Sequence, residues 1–544
     1  MIKSILRYWN TVKYLKIKQI IFRIFYKVYK PNINLKKIPN YKRNVVFNVQ
    51  PITKKRCYIG DGNFEYLSQV RHFSETGWNN DRIPKLWMYN LNYFDFLLQD
   101  SSEKEVKEMK YLLSNWVDNT KHYRDVGWDP YPTSLRIVNC VKWLMLGNSW
   151  SDKLRDSLVS QIRFLNNRIE WHIDGNHLIA NAKALIFSGA LFDGDEAQAW
   201  LRKGNGILKS ELDKQILSDG AHYELSPMYQ TIILEDLLDI INLQSSLKHC
   251  DKDIDYLITK AERMLRWLSL VIHPDGKIPH FNDASCDAVI NYMQLESYAE
   301  KLKVSRPKAA SGVHSLPDSG YITSELGESF LIVDAGEIGP PHQPGHGHAD
   351  TLSFELSIYG ERLFVNAGVS TYELCAIRSE ERGSSSHNTV EINGCSSSDV
   401  WASFRVGRRA SIIKNELAYT SKQTRIEISH SGYKYMKGSP VHCRSYMHTC
   451  NELIISDTII GECKKAYGRL HIHPNVCVSR NISENSVILK VNERKYAKVY
   501  FLNSFFDVQD FDYSSNFGCR LSSKCLVYRI TNNEANMIIT WGTK

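Results

Sequence analysis

The sequence predicts an α+β multidomain chain in two successive architectures: a paired-helix array or closed toroid, then a large antiparallel β-sandwich. Three observations carry this. The chain has 544 residues, more than one hydrophobic core accommodates. Apolar residues recur three and four apart from about residue 103 to 304, then alternate with period two after Pro317. No helical stretch intervenes between the later strands, so they pair antiparallel.

The periodicity places helices at 103–119, 133–147, 152–169, 177–191, 195–216, 228–247, 254–272 and 286–303. Pro132 and Pro227 fit first turns, and Gly147, Gly194 and Gly276 fall in the breaks. Strands are expected at 330–333, 352–358, 388–392, 425–428, 453–455, 470–472, 487–489 and 537–539, with turn signals such as Asn393-Gly394 between them. The boundary is expected at 305–317, around Ser305-Arg306-Pro307 and Ala309-Ala310-Ser311-Gly312. This divides the chain into a leader over 1–60, a helical domain over 61–310 and a sandwich over 311–544. Residues 31–100 read as irregular and rich in aromatics, and the helical domain shows no strand signal.

Composition excludes several classes. Apolar residues make up 43% and charged residues 23%, as in an ordinary globular protein. No stretch of about 18 apolar residues suggests a transmembrane helix. The formal charge of +9 is local: residues 1–60 hold 15 Lys or Arg and no Asp or Glu, and the rest carries 53 basic against 59 acidic residues. A globally basic nucleic-acid binder is therefore excluded. Within the leader, Ile2, Leu6, Trp9, Ile17, Ile20, Ile21, Ile24 and Val28 mark an amphipathic helix over 1–30. It suits either peripheral contact with an anionic membrane or docking on the protein's own acidic remainder. Lys13, Lys16, Lys18 and Arg23 interrupt it, so it is not a cleavable signal peptide. Twelve cysteines lie scattered without a Cys-x-x-Cys pair, which favours a reducing compartment. Cytoplasmic or inner-membrane-associated placement is expected over periplasmic.

Four stretches carry chemistry. In Gly175-Asn176-His177, a helix N-terminus offers free amides to an anionic group, and Asn176 either donates to a carboxylate or caps the helix. Asp219 to Tyr229 places Tyr223 and Tyr229 around Glu224 and Ser226-Pro227, as acid/base groups or as core aromatics. In Gly345-His346-Gly347-His348, the glycines fill no core, and an extended backbone sends the two imidazoles to opposite sides. One then faces a substrate, while the other binds a structural carboxylate or, with His387, a metal such as Zn²⁺. Trp128, Tyr131 and Arg136 combine stacking faces with a cation before a helix, for sugar binding or for pinning the helix entry.

Together these stretches resemble the heparinase II/III-like polysaccharide lyases. The resemblance rests on residues 175–185, on 219–229, on Gly345 to Asp350 with 352–356, and on Gly127 to Pro132 with Ser134-Leu135-Arg136. It covers roughly residues 80 to 480 in the family's order. It implies an incomplete α/α toroid followed by an antiparallel β-sandwich, and β-elimination at a uronic acid. In that reaction the proton on C5 is removed and the 4-O-glycosidic bond breaks, leaving a 4,5-unsaturated sugar. By resemblance, Asn176 and His177 neutralise the substrate carboxylate, and Tyr229, or less directly Tyr223, is the tyrosine acid/base. His346 is the second proton-transfer group, and which of Tyr229 and His346 is the base depends on the C5 epimer. Trp128, Tyr131, Arg136 and Glu224 would contact an anionic polysaccharide. A structural Zn²⁺ site would map to His348, Asn366 and His387, although relatives carry aspartate at Asn366; the chemistry itself needs no cofactor. Without an export signal, the basic leader suggests action on a bacterium's own surface polysaccharide. The rival readings are a uronyl C5-epimerase, a glycoside hydrolase using Glu224 or Asp219, and a non-catalytic polysaccharide-binding protein of an assembly locus.

Overall fold

The computed structural model describes all residues except 1, 32, 34–36, 43–44, 121–124, 248–250, 306–310, 482–483 and 544. Two leader helices, Ile2–Val12 and Ile17–Val28, replace the single helix expected over 1–30. A three-stranded antiparallel sheet follows over Tyr58–Gly60, Asn63–Tyr66 and Gln69–His72, where the sequence shows no strand signal. Its strands are only three or four residues long, too short for an alternation to register.

Helices Lys85–Tyr93, Glu103–Asn119, Pro130–Met145, Asp152–Asn167, Asn176–Leu191, Asp195–Gln215, Pro227–Ser246, Asp251–Val271 and Tyr292–Lys301 form the helical half. Their starts are chemically marked. Ser102 and Glu105 form a capping box, Ser151 and Ser226 accept from Leu154 N and Tyr229 N, and Pro130 opens its helix. Asn176–Leu191 is apolar nearly all round and lies at the centre. Close packing against Asp195–Gln215 requires glycine: a Cβ on Gly189 would lie 2.7 Å from Ala197 O, and one on Gly204 2.9 Å from Ala182 O.

Trp128 and Arg136 belong to this packing rather than to a sugar platform. Trp128 is buried and donates through Nε1 to Thr120 O. Arg136 is fully buried, 4.2 Å over the Trp116 ring, and donates to Gln161 Oε1 and Asn92 O. Neither can reach a polysaccharide, which corrects the sequence expectation for both.

The second half begins with the strand Val313–Leu316; part of the expected linker, 306–310, lies outside the described residues. All strand pairings are antiparallel. An eight-stranded sheet, from Ile412–Tyr419 across to Cys477–Asn481, faces a five-stranded and a four-stranded sheet. Leu331, Phe354 and Leu356 meet Ile426, Ile455 and Leu526 in the core between them. Alternation along Val441–Thr449 turns His442, Arg444, Tyr446 and His448 inward. Arg444 there makes a fork to Asp457 (2.7 and 2.9 Å) and donates to the carbonyls of Leu352 and Asn388, fixing the backbone that carries His387.

Candidate active site

A cleft of about 990 Å³ lies where the helical half meets the sandwich, lined from both. Asn176, His177, Tyr131 and Tyr229 reach it from the helices, and His346, Tyr372 and Phe404 from the sandwich half. Nine Lys and Arg against six Asp and Glu line it, which favours an anionic ligand.

Asn176 opens its helix after Gly175, whose φ of 64° suits glycine and whose Cβ would strike Glu224 Oε1 and approach Gln343. Asn176 N donates to Glu224 Oε1 at 3.0 Å, and its side-chain Oδ1 is buried without a partner. That oxygen is an acceptor, open to a hydroxyl or N–H of a ligand. His177 meets Glu170 Oε1 through Nδ1 at 3.0 Å, and its ring lies 4.5 Å from Tyr131. Burial alone would lower its pKa, but the Glu170 carboxylate outweighs burial and raises it above the ordinary value.

Tyr229 sits at the start of Pro227–Ser246, its backbone N–H held by Ser226 Oγ. Its ring stacks on His346 at 3.9 Å, and its hydroxyl lies 3.4 Å from that of Tyr372. Burial pushes its pKa well above 10, so it stays a neutral phenol. The His346 and His348 imidazoles do not diverge. His346 Nδ1 meets Asp283 Oδ2 at 2.8 Å and His348 Nε2 meets Asp283 Oδ1 at 2.9 Å, because the backbone turns here instead of running extended. Gly347 also has a packing reason: a Cβ there would strike Ile338 O.

Asp283 is the organising group. It is fully buried, and Arg378 grips both its oxygens while the two imidazoles approach the same pair. Burial alone would raise its pKa; Arg378 and the imidazoles hold it well below the usual carboxylate range instead. An ionised carboxylate only accepts, so the nitrogens facing it carry the protons. This pairing puts the His346 proton on Nδ1 and leaves Nε2, 3.6 Å from Glu224 Oε2, as the other ring nitrogen. The Asp283 backbone completes the link, donating to that of His346 through N and accepting from Ser226 Oγ through O.

The remaining expected residues fall behind the cleft wall. Tyr223 lies 5.8 Å from His342 and is not part of the lining. Glu224 is buried under Asn176 and reaches no open space. His348, Asn366 and His387 lie beneath Asp283, and they do not fit a Zn²⁺ site. His348 Nδ1 faces His387 Nε2 at 3.2 Å as a shared hydrogen bond, and Asn366 Oδ1 accepts from Asn388 N. The carboxylate on His348 Nε2, Asp283 at 2.9 Å, is already charge-paired with Arg378. Among the described residues no group of three His, Cys, Asp or Glu is placed to hold a metal. Asp283, Arg378 and Tyr372 were missed by sequence reasoning because Asp283 and Tyr372 sit in irregular segments and Arg378 on a six-residue helix, too short to show periodicity.

A helical array closed by an antiparallel sandwich, with polar side chains from both halves meeting in one cationic cleft, defines a two-domain polysaccharide-lyase-like fold. The chain belongs to the heparinase II/III-like family: residues 71–305 match the heparinase II/III N-terminus and 308–541 the heparinase II/III-like C-terminal domain. It is 24% identical over 378 residues to a heparin-sulfate lyase of Pedobacter heparinus, covering 61% of this chain and 55% of that protein. It is 27% identical over 241 residues to one of Bacteroides stercoris, covering 40% and 36%. The chain thus matches between about a third and just over half the length of these curated relatives. The crystal structure of heparinase III superposes with a TM-score of 0.70 at 16% identity, over 97% of this chain and 89% of that one. A heparan sulfate lyase from Pedobacter heparinus gives 0.60 at 16% identity, over 97% and 88%.

Two outcomes are expected. Asp283→Asn leaves Arg378 buried without its counter-charge and destabilises the protein by about 3–5 kcal/mol, measured from the urea midpoint. Dialysis against EDTA leaves the melting temperature unchanged, and elemental analysis of untreated protein finds zinc well below one atom per chain.

Proposed function

We propose that this chain is a polysaccharide lyase that cleaves a uronic-acid-containing polymer by β-elimination. The carrying observation is the stack of Tyr229 on His346 at 3.9 Å, which joins a helical-half phenol to a sandwich-half imidazole at the cleft. The reaction needs a neutralised carboxylate, a base for the C5 proton and an acid for the leaving oxygen.

The residues divide these tasks. Protonated His177, its Nδ1–H on Glu170, turns its positive ring toward the cleft beside Asn176, and the two meet the uronate carboxylate. With that charge countered, the C5 proton becomes acidic. His346 Nε2 takes this proton, the C5 electron pair forms the C4=C5 bond, and the C4–O bond breaks. The Tyr229 phenol gives its proton to the departing oxygen. Assigning Tyr229 as acid follows from the burial that disfavours its anion. Asp283 holds the His346 tautomer and stabilises the imidazolium that forms. Tyr131 supplies the sugar-facing aromatic surface.

The hydrolase reading loses its carboxylates: Glu224 is bound to Asn176 N, and Asp219 holds Ser319 N. A C5-epimerase would use the same two proton-transfer groups, and its product lacks the ultraviolet-absorbing enol ether. The polymer's source extends the same proposal to the cell's own surface polysaccharide.

A panel of uronic-acid polysaccharides, the producing cell's surface polymer included, should yield ultraviolet-absorbing product from at least one member. Tyr229→Phe and His346→Ala should each lower that rate at least ~100-fold. Uncleaved but C5-inverted sugar would point to the epimerase, and full activity in both variants would refute the mechanism. His177 must be protonated, so activity falls as pH rises through its raised pKa. Glu170→Gln removes the cause of that raising and should move the alkaline limb of kcat/KM to lower pH.

A further inference from the structure

The two leader helices are docked with their faces reversed. An ordinary surface helix turns its apolar stripe inward. Here the polar side is the attached one. Arg7 makes a fork to Asp399 (3.0 and 2.8 Å), and Thr11 accepts from Trp401 Nε1. Lys16 pairs with Asp174 at 2.9 Å, buried Gln19 donates to Ile173 O, and Tyr26 donates to Ile169 O. The pair thereby bridges the sandwich half, through Asp399 and Trp401, to the loop that leads into Asn176.

The opposite side is apolar and bare. Ile17, Ile20, Ile21, Ile24, Phe25 and Val28 follow helical spacing and are 39–80% exposed. Ile5, Leu6 and Trp9 continue the surface on the first helix, each more than half exposed. A contiguous apolar patch of this kind marks an interaction site.

Charge selects the occupant. Residues 2–28 contain seven Lys or Arg and no acid; Arg7 and Lys16 are spent on Asp399 and Asp174, which leaves an excess of five positive charges. A second copy would set like charge against like charge, whereas an anionic bilayer attracts the bases while its interface takes the apolar stripe. Helices of 11 and 12 residues span about 18 Å at most, short of a ~30 Å hydrocarbon core, so the seat is on the surface. Among the described residues no helix is long and apolar enough to cross a membrane.

We propose that the Ile2–Val12 and Ile17–Val28 helices lie in the headgroup region of an anionic membrane and hold the cleft mouth against it. Tyr8, Thr11, Val12, Leu15 and Arg23 of this pair line the cleft, so a bilayer on their outer side sits directly beside its entrance. The chain then works on polymer at the lipid surface. This seat stands independently of the lyase chemistry.

The test is flotation of the full chain with vesicles of phosphatidylglycerol and phosphatidylcholine, against phosphatidylcholine alone, at low and high salt. Partition should be at least ~10-fold stronger on the anionic vesicles and should weaken with salt. The double variant Ile21→Glu, Ile24→Glu, at exposed positions outside the cleft, should lose at least ~10-fold in partition and keep the parent's melting temperature. Equal partition of variant and parent, or equal binding to both vesicle types, would overturn the proposal. So would a parent dimer in sedimentation equilibrium that the double variant dissolves, which assigns the patch to a second copy.

Discussion

One buried carboxylate, Asp283, sets the geometry of the cleft. An ionised group removed from water costs several kcal/mol unless it is fully paired. Asp283 is paired by a guanidinium and two imidazoles that come from two segments well separated from it in sequence. The arrangement is a constraint as much as a stabilisation: Arg378, His346 and His348 can satisfy it only if the short helix and the loop that carry them pack onto the helical half. The same residue's carbonyl accepts from Ser226, which caps the helix of Tyr229. The orientation of Tyr229 and of His346 thus has a single origin.

This explains the two kinds of histidine in one short motif. His346 and His348 share a carboxylate, yet only His346 has its other nitrogen toward the Glu224 side and its ring on the cleft. His348 spends its second nitrogen on His387, in a dry contact that positions and does not react.

The long elements were legible in the sequence because burial imposes their period. The helices at 103–119 and 195–215 match the expected ranges within a residue, and the mostly apolar Asn176–Leu191 was bounded by Gly175 and its neighbours. The cleft residues Asn176, His177, Tyr131, Tyr229 and His346 were legible because each adjoins a glycine or a proline-marked helix start. What escaped was long-range pairing. Nothing near Asp283 announces that Arg378, ninety-five positions away, will neutralise it. Trp128 and Arg136 misled for the converse reason: an aromatic beside a cation looks the same in sequence whether it faces sugar or fills a helix interface.

That separation of ninety-five positions also has a temporal meaning. The chain is made from its N-terminus, so Tyr229 and Asp283 leave the ribosome well before Arg378 does. Until then the carboxylate lacks its cation, and burying it unpaired would cost several kcal/mol. The Asp283 pairing is therefore completed late, when the Ala376–Glu381 helix arrives. A nascent chain that has already made its helices still lacks the cation that fixes one wall of the cleft.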